Sequence, residues 1–347
     1  MTQADAAGLP PLTFAPPTVH RYIPMLKTKS GETTALENLS NNARARIMPL
    51  FHICEEVKPR FIPSLSAAWA GRLTAVDGSF NYGRTNSPNI MNRLVAGMRS
   101  SGIPTMPCWG PSDMVAYQYV ARSLVDGNGA VVKVRLDEID GIASWLVLQN
   151  LPPAMVDLII DLKHMDAYDV GSLPGIVVAV CLQQAPTLGM FRSVTLAAAA
   201  APKDHGALYR GVNLVPRFDW SLWNNVRPNV PFRLDYGDYL TGHPDLTEPP
   251  GVAMASATVS ARYTLDNAWM IIKGWQTSGP NGLPMRQQYH SHATIIANDP
   301  GFSGVPNVWA DGQIGQAASG AQGMASRAKW SGFAANRHMS LVADRLP

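Results

Sequence analysis

Apolar runs of strand length in this sequence repeatedly end in charge. YIPMLK closes on Lys27 with Lys29 two residues on, Glu55 and Glu56 follow IMPLFHI, RLTAVD closes on Asp77, and PTMPCW closes on Trp109. Arg135 and Asp137 stand around the end of AVVKVRL, and VDLIID closes on Asp161 with Lys163 and His164 beyond it. Lys203 and Asp204 follow SVTLAAAA, and Asp235, Tyr236 and Asp238 close PFRLDY. Acids beside a histidine suit general acid–base transfer. Lys27 and Arg135 suit an anion. Carboxylates such as Glu55, Asp77 and Asp161 suit a divalent cation of the Mg²⁺ or Mn²⁺ type. The competing reading is that such charges pair with one another or meet solvent. DLKHMD from Asp161 sets His164 among acids, a cation site or a coincidence, and YGDY from Tyr236 is a ligand-facing corner or a bend that ends a strand.

These groups act together only if one fold brings the strand ends to one face. YIPMLK, the helical GETTALENL and IMPLFHI make a β-α-β unit. The alternation continues through RLTAVD, NIMNRLVAGMRSSG, PTMPCW, DMVAYQYVARSLVDG, AVVKVRL, GIASWLVLQNL and VDLIID. The runs lack polar alternation, as parallel strands buried on both faces do. PGIVVAVCLQQAP is β-branched, yet its place directly after VDLIID requires a crossover helix, and it is read as one. SVTLAAAA is then the seventh strand, YRGVNLVPRFDWSLWNNV the seventh crossover and PFRLDY the eighth strand. The fold expected is α/β, a (β/α)8 barrel of the TIM type with an appended C-terminal segment; a doubly wound α/β sheet is the alternative. The division is a flexible arm over residues 1–20, a barrel over 21–239, and a segment over 240–347 that packs on the barrel or completes its last crossover. GVAMASATVSARYT and AWMIIKGW read as strands of that segment.

Composition excludes several classes. The chain has 347 residues, 46% hydrophobic and 15% charged, with no apolar run near the roughly 18 residues a membrane span needs. A net charge of +3 does not mark a nucleic-acid binder. Cys54, Cys108 and Cys181 are far apart and set mostly in apolar runs, as reduced thiols in a cytoplasmic protein are. The opening MTQADAAGLPPLTFAPP lacks the basic and apolar regions of a secretory signal. The sequence has no Walker loop, G-x-G-x-x-G, G-x-S-x-G, H-E-x-x-H or paired CxxC.

Four separated motifs, in order, carry a resemblance. They are Lys27, Lys29, Gly31 and Glu32 in YIPMLKTKSGE; Arg233, Tyr236, Gly237 and Asp238, with Arg262, Tyr263 and Thr264 downstream; Trp309, Asp311 and Ile314; and Asn336 with His338. Through them the chain resembles, over nearly its whole length from Tyr22, the beta protein family of bacteria, named for a phage protein. The resemblance implies a (β/α)8-type fold and no settled activity. One departure is WAD at Trp309–Asp311 where a WGD-like turn is expected, which puts the geometry around Asp311 in question.

Membership in these motifs singles out Lys27, Asp238, Arg262 and His338 as a catalytic constellation. Lys27 and Arg262 would clamp an anion, Asp238 would act as base or orient His338, and His338 would transfer protons. The structural alternative is an Arg262–Asp238 pair tying the C-terminal segment to the barrel. Three functions follow. The first is an enzyme acting on a nucleotide or a nucleic-acid phosphodiester in phage–host conflict, with or without Mg²⁺ or Mn²⁺. The second is a non-catalytic component of a defence or toxin–antitoxin-like assembly that binds protein or nucleic acid, with Trp220, Trp223 and Trp330 as candidate anchors. The third is a structural protein of phage descent.

Overall fold

The computed structural model describes residues 20–167, 169–247, 257–304 and 308–347, so nearly all of the expected N-terminal arm lies outside the described residues. The first half alternates as the apolar pattern requires. It runs β1 (Tyr22–Lys27), α1 (Ser30–Glu37), α2 (Asn41–Arg46), β2 (Leu50–His52), α3 (Phe61–Trp69), β3 (Thr74–Asp77), α4 (Ser79–Thr85), α5 (Asn89–Ser100) and β4 (Thr105–Trp109). It continues with α6 (Val115–Ser123), β5 (Ala130–Val134), α7 (Ile142–Gln149), β6 (Val156–His164), α8 (Asp169–Gln183), α9 (Ala185–Leu188) and β7 (Ser193–Ala199). The ambiguous PGIVVAVCLQQAP is indeed the crossover helix α8, because β6 and β7 are parallel neighbours that only a crossover can join.

The seventh crossover holds an extra strand, β8 (Gly211–Pro216), before α10 (Phe218–Val226) and the eighth barrel strand β9 (Leu234–Asp238). Eight strands close in the order β1-β2-β3-β4-β5-β6-β7-β9. The seam pairs β1 with β9 in parallel, Tyr22 opposite Tyr236 and Pro24 opposite Asp238, a contact that a doubly wound sheet lacks. Inside the barrel, Ile23, Met25, Leu50, Ala75, Met106, Val131, Ile159 and Ala197 make an apolar filling. Below it, at the N-terminal ends of the strands, the buried Asp157 carboxylate accepts from Arg21 Nη2 at 3.0 Å, Arg192 Nη2 at 2.8 Å and Ser193 Oγ at 2.6 Å. That plug closes the bottom, and each of its charges has a partner.

The C-terminal segment supplies β10 (Ser260–Thr264), β11 (Ala268–Lys273), α12 (Met285–Ala297), α13 (Trp309–Ala318) and α14 (Arg327–Arg345). Of the expected strand GVAMASATVSARYT, only the end at Ser260–Thr264 is β, and residues 251–256 lie outside the described set. The strands β10, β11 and β8 make an antiparallel sheet. One face of it packs on the barrel core through Trp269 and Ile271, the other on a second core with Tyr263, Met270 and Ile272. Helix α14 lies against α1, α2 and β1, where the last crossover helix of a (β/α)8 barrel belongs. It approaches α1 closely because Gly31 and Gly332 face each other: a Cβ on Gly31 would sit 3.0 Å from the Ala328 carbonyl oxygen, and one on Gly332 3.0 Å from that of Gly31. Among the described residues no helix is long and apolar enough to cross a membrane.

Candidate active site

Side chains alternate along a strand, so two residues beyond each interior residue another points inward. Leu50, Ala75, Val131 and Ile159 fill the interior, and their successors are His52, Asp77, Lys133 and Asp161, with Tyr239 just past β9. These five side chains line the C-terminal mouth, the end where barrel enzymes carry their active sites. Lys27 has the same parity on β1.

The mouth is a network of charge. Asp77 is fully buried and paired with the Lys133 ammonium, and the His52 ring Nδ1 stands 3.4 Å from its Oδ2. Burial alone would raise the Asp77 carboxyl; Lys133 first and His52 second hold it well below the usual range. Burial and the neighbouring Lys133 lower His52, so its ring is neutral, with Nδ1–H toward Asp77 and a lone pair on Nε2. That Nε2 is buried and has no hydrogen-bond partner among the described residues. The His52 ring stacks parallel to Tyr239, with centroids 6.0 Å apart. The Tyr239 hydroxyl donates to Asp161 Oδ2 at 2.6 Å, and Lys163 Nζ reaches that same oxygen at 2.8 Å. Beside them Asp113, whose Oδ2 accepts from the Gly110 N–H at 2.8 Å, is pushed up to about 6 by burial and by Asp77.

Three carboxylates near strand ends also cap the backbone two residues on, Asp77 and Asp238 as the last residues of β3 and β9 and Asp161 three residues before the end of β6. Asp77 accepts from the Ser79 N–H at 2.9 Å, Asp161 from Lys163 N–H at 3.0 Å and Asp238 from Leu240 N–H at 2.9 Å. Two of these turns put a non-glycine residue in the left-handed region, Lys163 at φ 60° and Leu240 at φ 56°. Lys163 sits on an irregularity where the β6–β7 register shifts between Asp161 and His164. Backbone strain of this kind gathers at functional sites.

The constellation expected from the motifs does not assemble as one site. Asp238 and His338 do meet, Nε2 to Oδ2 at 2.7 Å, but both are wholly buried behind the barrel wall. Asp238 also accepts from Tyr22 and, at 2.9 Å, from Tyr236, whose hydroxyl lies 2.7 Å from Asp219. The Trp269 indole N–H, which can only donate, stands 3.4 Å from His338 Nδ1, so that nitrogen faces a donor while Nε2 faces the Asp238 carboxylate. Arg262 lies in the antiparallel sheet, 3.1 Å from His205 Nε2, and the Asp238 carboxylate faces Arg217 at 3.9 Å instead. Lys27 is at the mouth, its backbone N–H bonded to Glu32. Nor do Glu55, Asp77 and Asp161 converge on a cation: among the described residues no group of three or more His, Cys, Asp or Glu could hold a metal, Glu55 is exposed, and Asp77 and Asp161 are occupied by lysines. Of DLKHMD, His164 lies against His243, with ring centroids 4.5 Å apart and the planes tilted by 39°. Trp220, Trp223 and Trp330 are buried and cannot anchor a partner.

His52, Lys133 and Asp113 were not singled out from the sequence, and Tyr239 entered only as the last residue of YGDY, the corner read as ligand-facing or as a bend. Lys133 does announce itself, as a charge inside the apolar run AVVKV. His52 is found by counting in twos from Met48, which also faces the interior. The motif residues build the seam. Tyr263 reaches Asp311 at 3.3 Å, His338 faces Thr264 at 3.1 Å, and Asn336 bridges the Ala310 N–H at 3.1 Å and the Ala35 carbonyl at 2.9 Å. The WAD departure needs no turn, because Ala310 is inside helix α13 and fully buried, where a methyl fits.

A family model described as Beta protein matches residues 22–344. Among solved structures, the chain is similar to a triosephosphate isomerase from Bartonella henselae, with 10% identity, 65% of this chain and 94% of that chain covered, and a TM-score of 0.26. No curated protein matches the chain.

Proposed function

The chain belongs to the Beta protein family, and we propose that it is an acid–base enzyme working at the barrel mouth on a phosphate-bearing substrate, a nucleotide or a nucleic-acid phosphodiester. The observation that carries this reading is His52: a neutral imidazole set against Asp77, with Nε2 buried and unpartnered among the described residues. An orphaned buried acceptor costs on the order of 1–3 kcal/mol, a cost that a bound water or substrate hydroxyl relieves. His52 takes the proton of that O–H as its oxygen attacks phosphorus and the P–O bond to the leaving group breaks; the leaving oxygen takes a proton from solvent, and the His52 imidazolium, stabilised by Asp77 until then, returns its proton to solvent. Lys163, half exposed at 49% and ion-paired to Asp161, meets the phosphoryl oxygens, with Lys27 at the same rim.

The test is binding and turnover of a panel of nucleotides and short DNA and RNA, with and without Mg²⁺ or Mn²⁺. The full chain is compared with His52→Gln and Lys163→Met. His52→Gln should keep a ligand-induced rise in Tm while turnover falls about 10²–10⁴-fold. Lys163→Met should lose the rise. Turnover unchanged in His52→Gln would sink the proposal.

A further inference from the structure

Helix α7, IASWLVLQ, contains no charged residue, and only Ile142 and Leu146 are buried. Val147 and Leu148 on its outer side are 77% and 74% exposed. A helix apolar all round is normally covered on every side. The apolar surface continues on α6, where Val115 and Tyr119, one turn apart, are 66% and 68% exposed. Contiguous exposed apolar area of this kind marks an interaction site. The charges lie at the two ends of α7. Asp140, exposed and held by Gln184 Nε2 at 2.7 Å, stands just ahead of its first turn. Arg122, on the same stripe of α6 as Tyr119, lies 3.4 Å from the Leu148 carbonyl at its last turn.

From this arrangement we propose that the chain forms a two-fold symmetric dimer in which α7 packs antiparallel on α7 of a second copy. Helix α7 has 8 residues, about 12 Å at 1.5 Å per residue. A two-fold axis across its middle therefore sets Asp140 of one copy against Arg122 of the other at both ends at once. The apolar Val147, Leu148 and Tyr119 of both copies meet between them, and the helix dipoles oppose. A partner carrying one sign of charge would satisfy one end and repel the other. A second copy satisfies both.

The experiment is sedimentation equilibrium of the full chain at about 50 µM, where a contact of micromolar Kd is mostly associated. The wild type should be a dimer, and Leu148→Glu a monomer with an unchanged circular dichroism spectrum. Asp140→Arg and Arg122→Asp should each weaken association about tenfold or more, and the double variant should regain it, since the pair is restored with its signs exchanged. A wild type that stays monomeric overturns the proposal. So does a dimer indifferent to Leu148→Glu, or a double variant no better than its parents.

Discussion

His52 and His338 are both buried imidazoles against an aspartate, and they differ at the far nitrogen. In His338 that nitrogen faces Thr264 and Trp269, so the ring is fully used in holding α14 to the sheet. In His52 it has no partner among the described residues, which is why the mouth and not the seam is the candidate for chemistry. Residue type could not separate them, since each is a lone histidine, His52 in the apolar PLFHI and His338 in the polar ANRHMS. Asp113 gives a pH test. Its folded value, about 6, lies above the ordinary 3.9, so the folded chain holds an extra proton between those values and stability falls as pH rises through that window. Asp113→Asn should therefore be more stable than wild type at pH 8, by about 1–2 kcal/mol after allowance for partial exposure, with the difference gone at pH 4. Urea midpoints at the two pH values measure it. Asp157→Asn, which leaves Arg21 and Arg192 buried without their counter-charge, should cost about 3–5 kcal/mol in the same assay.

Among the elements, the strands were legible because their apolar runs are short and separated by turn chemistry. Helix α8 was legible only through topology, since its β-branched residues favour a strand. The strand β8 inside the seventh crossover was not legible, because its partner β11 lies far along the chain and pairing at that distance leaves no local period. Asp77 and Asp161 have a dual role that sequence does not separate, as ion-pair partners of lysines at the mouth and as acceptors for the backbone two residues on. The crossing of α1 and α14 is sensitive to a single methyl. Gly31→Ala puts a Cβ against backbone on the facing helix, and should lower the thermal midpoint with a loss of about 1–3 kcal/mol. Ser331→Ala, beside the same crossing, adds no atom and should leave the midpoint nearly unchanged.

For the molecule as a whole, the barrel and the C-terminal segment are joined by α14, which covers the seam between β9 and β1. A chain lacking residues 327–347 should lose cooperative unfolding by circular dichroism, and a truncated barrel that melts with a single sharp transition would contradict that. Acid should unfold the intact chain as well. Asp77, Asp157 and Asp238 are buried and held below the ordinary range by Lys133, by Arg21 and Arg192, and by His338 and Arg217. Their contribution is whole above the unfolded value and is lost as pH falls toward the folded one, so Tm should drop steeply below about pH 4. The sequence by itself determined the β/α alternation and the strand ends at which charge collects, since apolar period, turn residues and strand ends are local properties of the chain; it left the barrel and the doubly wound sheet both open, and the pairing of β1 with β9 decided between them. Only the tertiary structure decided which charges share the mouth, that Asp238 and His338 close the seam behind it, and that His52 keeps one nitrogen without a partner among the described residues. Each of those depends on strand register and on contacts between residues far apart in the chain, 56 positions for Lys133 and Asp77 and 100 for Asp238 and His338, which no local pattern encodes.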